Sequence, residues 1–178
     1  MRINYGWGHA FAAAGVGKLG IADGDIVEIS NLQRQVLYNE TELGKNKAQV
    51  AKEKITKLNS TIELEVYDFF IDTLSIFKII TDYDVVVDCT DHFSIRYLLN
   101  DVCFLHNKPL VFASIYQFEA QLSVFHYGEK PYNLRDVFSE IPDEKSVPNC
   151  PEAGVLGTLA GIAGSLQANE VIKIITKI

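Results

Sequence analysis

The sequence predicts an α/β fold of Rossmann type, a mostly parallel sheet with helices on its flanks, and three observations carry that expectation. Short apolar runs alternate with segments of helical period, the pattern that calls for parallel strands joined by right-handed crossovers. One run, Val85-Val86-Val87, is unbroken and β-branched, as expected of a strand buried on both faces. A dense polar cluster, residues 23–35, directly follows the first apolar run, which is where a ligand loop belongs.

The elements follow in order. Residues 9–14 are Ala-rich and end at Gly15, like the last turns of a helix closed by glycine. Residues 19–22 predict a short strand. Apolar Val50, Ala51, Ile55 and Leu58 predict a helix over 47–58, and Ile-Glu-Leu-Glu-Val-Tyr at 62–67 alternates as a strand does. A second helix is expected over 72–80, a buried strand over 84–89, a helix over 94–106, and strands over 110–114 and 120–127. Residues 128–151 hold four prolines and no clear period, so they predict a crossover loop. Gly157, Gly161 and Gly164 then suit close helix packing, with Val171, Ile172, Ile174 and Ile175 as a buried face. No repeat or linker divides residues 1–178, which predicts a single domain.

A net charge of −7 argues against a protein that grips nucleic acid through its overall field, but leaves room for an ATP site needing a few local cations. Cys89, Cys103 and Cys150 are widely separated, which argues against a disulfide framework and a self-contained zinc site and predicts reduced thiols in a cytoplasmic protein. No apolar run approaches the roughly 18 residues that span a bilayer, and no basic region precedes an apolar block at the N-terminus, so no membrane partner is expected.

The candidate chemistry lies after two strands. Asp23 at the end of the first could accept from both hydroxyls of a ribose, and Asp23-Gly24-Asp25 could equally be a plain turn. Ser30, Asn31 and Arg34 tip the balance, because Arg34 offers a planar fork of donors suited to phosphate oxygens and a turn has no use for it. Lys47 opens a helix, where it could meet phosphates beside free N–H groups; taken alone, Lys45 and Lys47 read better as solvated surface. After the buried strand, Asp91 could hold magnesium near phosphates or cap the helix that follows, while Asp88 reads as a structural hydrogen-bonding acid. Cys89 and Cys103 read as core.

These residues carry a family resemblance. Ala12-Ala13-Ala14-Gly15-Val16-Gly17, the segment through Ser30-Asn31-Leu32-Gln33-Arg34-Gln35, Leu43-Gly44-Lys45-Asn46-Lys47, Asp88-Cys89-Thr90-Asp91, Arg96-Tyr97-Leu98-Leu99-Asn100 and Cys150-Pro151-Glu152-Ala153-Gly154 through Glu170 resemble the MoeB/ThiF/HesA family. That family comprises relatives of ubiquitin-activating enzymes, and the chain looks most similar to the molybdopterin-synthase adenylyltransferases. The resemblance implies ATP-dependent adenylylation of the C-terminal glycine of a ubiquitin-fold sulfur-carrier protein, and a homodimer. It implies that Asp23 holds the ribose, Asn31, Arg34 and Lys47 the triphosphate, and Asp91 the magnesium ion. Cys150 corresponds to a cysteine that some relatives use for a thioester or sulfur linkage and others keep without covalent use.

Departures from the family pattern qualify those expectations. Members begin with a strand and a Gly-rich loop before the Ala-rich helix; this sequence shows neither, and Gly6 and Gly8 stand too close to the helix end to replace them. It reads as truncated at both ends. The arginine that the family supplies from an N-terminal helix has no evident counterpart. Where many relatives carry the first Cys-x-x-Cys of a zinc site, this chain reads Tyr132-Asn133-Leu134-Arg135, so no zinc is expected. The alternative to an active enzyme is a non-catalytic remnant or subunit that keeps the fold and partner surfaces, with the edges beside the lost strand left open.

Overall fold

The computed structural model describes residues 7–142 and 154–178. Helix α1, Trp7–Ala14, closes on Gly15, whose φ of 76° turns the chain toward strand β1, Lys18–Ala22. Helix α2, Lys47–Leu58, starts behind Asn46, whose side chain accepts the Gln49 N–H at 3.0 Å. It buries Val50, Ala51 and Ile55 on the face that the sequence period marks. Strand β2, Glu63–Tyr67, is followed by helix α3, Thr73–Ile79, capped by Asp72, which accepts the Ser75 N–H at 2.7 Å. Strand β3, Val86–Asp88, helix α4, Phe93–Leu105, and strands β4, Leu110–Tyr116, and β5, Glu119–Phe125, complete the middle of the chain. The stretch expected as an unstructured crossover contains a short helix, α5, Leu134–Val137, started by Asn133. Helix α6, Gly157–Thr176, ends the fold.

Alternate strand residues face opposite helical layers. Ile21, Val87 and Val111 pack with residues of α1, α2 and α6 in one cluster, while Ala22, Val86, Leu110 and Phe112 pack with residues of α3 and α4 in the other. Ile21, Ile55, Leu99 and Leu110 are fully enclosed, and each such side chain contributes about 1.5–3 kcal/mol of burial. This is the α/β layering expected from the sequence. Among the described residues, no helix is long and apolar enough to cross a membrane.

Hydrogen bonding divides the strands into two groups. β1 and β2 pair in parallel, Lys18 opposite Glu63 through Ala22 opposite Tyr67. β3 and β4 pair in parallel, and β5 returns antiparallel along β4 with Leu110 opposite Phe125. Among the described residues the strand orders are β1-β2 and β3-β4-β5, so β1 and β3 are both sheet edges there. Strand-end loops therefore gather the candidate residues: Asp23 follows β1, and Cys89 to Asp91 follow β3.

Candidate functional site

The turn after β1 is built around a buried carboxylate. Asp23 is 3% exposed; its N–H donates to the Tyr67 carbonyl at 3.0 Å and its Oδ1 accepts the Asp25 N–H at 2.9 Å. Gly24 is required between them, since a Cβ there would sit 2.6 Å from the Phe70 nitrogen. Asn46 ties the turn to α2 by donating Nδ2 to the carbonyls of Asp23 at 3.0 Å and Asp25 at 3.3 Å. Asp23-Gly24-Asp25 is thus a turn, one that holds the Asp23 carboxylate buried at the end of β1.

Lys47 is the clearest correction to sequence reasoning. It was expected on solvated surface when taken alone, yet it is 3% exposed, with Nζ 3.3 Å from Asp25 Oδ2. A cation at a helix N-terminus opposes the helix dipole, so the neighbouring carboxylates are what make the position tenable. Lys45 is exposed, as expected. Burial raises the Asp23 pKa, and the Asp25 N–H and the Lys47 charge pull it the other way. Tyr38, which no sequence signal marked, is 4% exposed and donates its hydroxyl to the Lys47 carbonyl at 3.2 Å; burial raises its phenol pKa, and the Asp23 charge adds to the rise.

Ser30, Asn31 and Arg34 share one tight turn. Ile29–Asn31 forms a 3₁₀ turn in which the Asn31 side chain accepts the Glu28 N–H at 3.3 Å, and the Arg34 guanidinium donates to the Ser30 carbonyl at 3.0 Å. Asn31 is buried and Ser30 exposed, with Arg34 half-buried between. The first residue of α6 lies directly on this turn: a Cβ on Gly157 would stand 2.4 Å from the Gln33 carbonyl oxygen. Gln35, in the same motif, is 8% exposed, and its Oε1 has no hydrogen-bond partner among the described residues. A buried acceptor of that kind is satisfied by a ligand donor or by water.

The loop after β3 is held differently. Asp88 is wholly buried, accepting the Thr90 N–H at 2.8 Å and Arg96 Nε at 3.0 Å, which gives it the structural role expected. Arg96 also donates to the Thr90 carbonyl at 2.7 Å and to Ser114 Oγ at 3.1 Å, and stacks 4.9 Å from the Phe112 ring. Gln167 of α6 reaches the Asp88 carbonyl at 2.8 Å. Asp91, on this separate loop, has its Oδ1 3.8 Å from His92 Nε2. It is not the cap that sequence reasoning allowed, because α4 begins at Phe93 behind His92. Cys89 and Cys103 are buried, as expected of core thiols; Cys150 lies outside the described residues, as do residues 143–153 and Gly6.

The two loops combine nucleotide-suited donors, a buried acid and a second carboxylate at strand ends, and the whole sequence bears the same stamp. Residues 8–178 match the ThiF family. The chain belongs to that family. Over 167 residues it is 44% identical to the sulfur carrier protein adenylyltransferase of Thermus thermophilus, covering 92% of this chain and 62% of that one. It is 44% identical over 165 residues to a probable molybdopterin-synthase adenylyltransferase of Porphyra purpurea (92% and 43%), and 45% identical over 166 residues to the adenylyltransferase and sulfurtransferase MOCS3 of Caenorhabditis briggsae (93% and 41%). The chain thus spans less than two thirds of each of these curated relatives. Among solved structures it resembles Escherichia coli MccB with ATP, at a TM-score of 0.79 and 28% identity over 97% of this chain and 54% of that one. MccB with AMPCPP and MccA gives a TM-score of 0.80 and 28% identity, covering 95% and 51%.

Proposed function

We propose that this ThiF-family chain carries the nucleotide half of an adenylyltransferase, one that activates the C-terminal carboxylate of a ubiquitin-fold sulfur-carrier protein as an acyl-adenylate. The observation that carries the reading is the Asp23–Asn46–Lys47–Asp25 network beside the Ser30–Asn31–Arg34 turn at the end of β1. The kinship with a sulfur carrier protein adenylyltransferase supports the same reading.

In this proposal Asp23 accepts the ribose hydroxyls, and Asn31, Arg34 and Lys47 hold the triphosphate, the two cations offsetting its charge, with Ser30 on the same turn. Asp25 holds the Lys47 ammonium in place before the nucleotide arrives, so little reorganisation is left for the reacting state. The donor set also suits a magnesium ion: Asp91 is an oxygen ligand of the right hardness, and bound there the ion would neutralise charge on the departing pyrophosphate. The carrier carboxylate is already ionised, so it attacks the α-phosphate without a general base, and positioning supplies most of the rate. The unit acts as a single domain, and as a homodimer in the cytoplasm.

Exchange of radiolabelled pyrophosphate into ATP, dependent on a sulfur-carrier protein ending in glycine, tests the reading. Carrier-dependent exchange supports it; a folded, ATP-saturated sample that shows none with any such carrier sinks it. One observation favours a second reading, a non-catalytic subunit: among the described residues β1 and β3 are sheet edges, so the two candidate loops stand on separate sheets. Calorimetric titration with Mg-ATP separates the two, since the subunit would take up no nucleotide.

A further inference from the structure

The proposed reaction leaves one imidazole without a task. His92 is the residue from which α4 starts, yet its side chain makes no capping hydrogen bond. The ring is 56% exposed, with Nε2 3.8 Å from Asp91 Oδ1. An exposed pair at that separation contributes little to stability, so the fold gives no reason of its own for a histidine here. Its backbone, by contrast, is fixed: the His92 carbonyl accepts the Arg96 N–H at 3.1 Å and the Thr90 hydroxyl at 3.4 Å. The loop before it is held as firmly, because Thr90 donates its N–H to Asp88 and its carbonyl accepts from Arg96. An imidazole that can turn on an anchored backbone thus stands beside the carboxylate already assigned to the metal ion.

We infer that His92 joins Asp91 as a ligand of the divalent cation that accompanies the nucleotide, and that it shifts the preference of the site from magnesium toward manganese. The inference rests on the nucleotide reading of the two loops. Magnesium takes oxygen ligands and gives up its waters reluctantly, so a nitrogen donor adds little to its binding. Manganese accepts carboxylate and phosphate oxygens equally well and binds imidazole better than magnesium does. Zinc favours sites with three or four nitrogen or sulfur ligands, and this loop offers one nitrogen. Neighbouring donors about 2.1 Å from an octahedral ion stand roughly 3 Å apart. The 3.8 Å between Asp91 and His92 closes to that spacing by rotation of the ring, and the exposure of the ring leaves little packing to oppose it.

The test uses Mn²⁺ with AMPCPP, a non-hydrolysable ATP analogue, and the full chain carrying isotope-labelled histidine. Electron-spin-echo spectra of the ternary sample should show coupling between manganese and a histidine nitrogen, and the coupling should vanish in His92→Asn. Calorimetric titration of AMPCPP with each metal should show the ratio of Mn²⁺-supported to Mg²⁺-supported affinity falling by about tenfold in His92→Asn and in His92→Ala alike. The circular dichroism of both variants should match the parent, because the backbone of His92 rather than its ring holds the loop. Uptake of AMPCPP with Mn²⁺ but without histidine coupling overturns the inference and leaves the nucleotide reading standing. Coupling that persists in His92→Asn does the same, since another histidine then supplies the nitrogen, and so does an unchanged metal ratio. Uptake of AMPCPP with neither metal overturns the inference and the nucleotide reading together.

Discussion

The loops after β1 and after β3 begin alike, with an apolar strand running into a buried aspartate, and they end in different chemistry. Asp88 is spent: Arg96, 8% exposed as a side chain, and the Thr90 N–H occupy it, and the same guanidinium fastens the loop to β4. Asp23 accepts the Asp25 N–H at 2.9 Å, and the Lys47 ammonium lies 3.3 Å from Asp25. A carboxylate locked by a forked arginine is a structural brace. A carboxylate set in a turn with a lysine nearby has the composition of a binding site.

The largest expected effect tests the brace. Arg96→Met leaves Asp88 buried without its partner and should cost about 3–5 kcal/mol in urea unfolding, with part of it recovered in the double variant R96M/D88N. An unchanged midpoint would show that Asp88 is no brace. The matching change in the other loop, Lys47→Met, should lower carrier-dependent pyrophosphate exchange by about 10²–10³-fold while costing much less stability, because Asp25 keeps access to water. If K47M instead unfolds the protein as readily as R96M does, the two loops are the same kind of structure.

A smaller effect concerns the seam between them. Gly157→Ala puts a methyl against the Gln33 carbonyl and should cost about 1–3 kcal/mol, with a weaker Mg-ATP affinity than its stability loss explains. Equal affinity would separate α6 from the Arg34 turn. The smallest is a pH slope. Burial raises the Asp23 pKa, so the folded state holds its proton more tightly than the unfolded one. Stability contributed by that proton is present at pH values below the ordinary 3.8 and is lost as pH rises through the folded value. Asp101 runs the opposite way: the Arg135 hydrogen bond lowers its pKa, so its contribution is lost as pH falls. Chemical denaturation across the acid range should show the Asp23→Asn variant losing less stability than the parent as pH rises from below 3.8. An identical slope in both would remove Asp23 as its source.

Much of this was legible in the sequence. Helix α2 spans Lys47–Leu58 as its period predicts, because Asn46 is a strong cap and the apolar face repeats cleanly. Strand β3 is shorter than 84–89, since only Val86–Asp88 meet β4 in register. Lys47 was misread because a lysine taken alone belongs in water, and only the distant Asp25 reverses that preference. Tyr38, Arg96 and Gln167 were not singled out as site-forming because a polar residue carries no mark of the partner it meets.

The sequence by itself determined the alternation of elements, the apolar faces of the strands and the family to which the chain belongs. Those follow from local propensity, side-chain period and motif spacing, which act over a few residues. Tertiary structure alone decided which aspartate is a brace and which lies in the turn after β1, and that among the described residues β1 and β3 belong to separate sheets. Each of these depends on what distant segments bring within hydrogen-bonding reach, and burial there makes the presence or absence of one partner worth several kcal/mol.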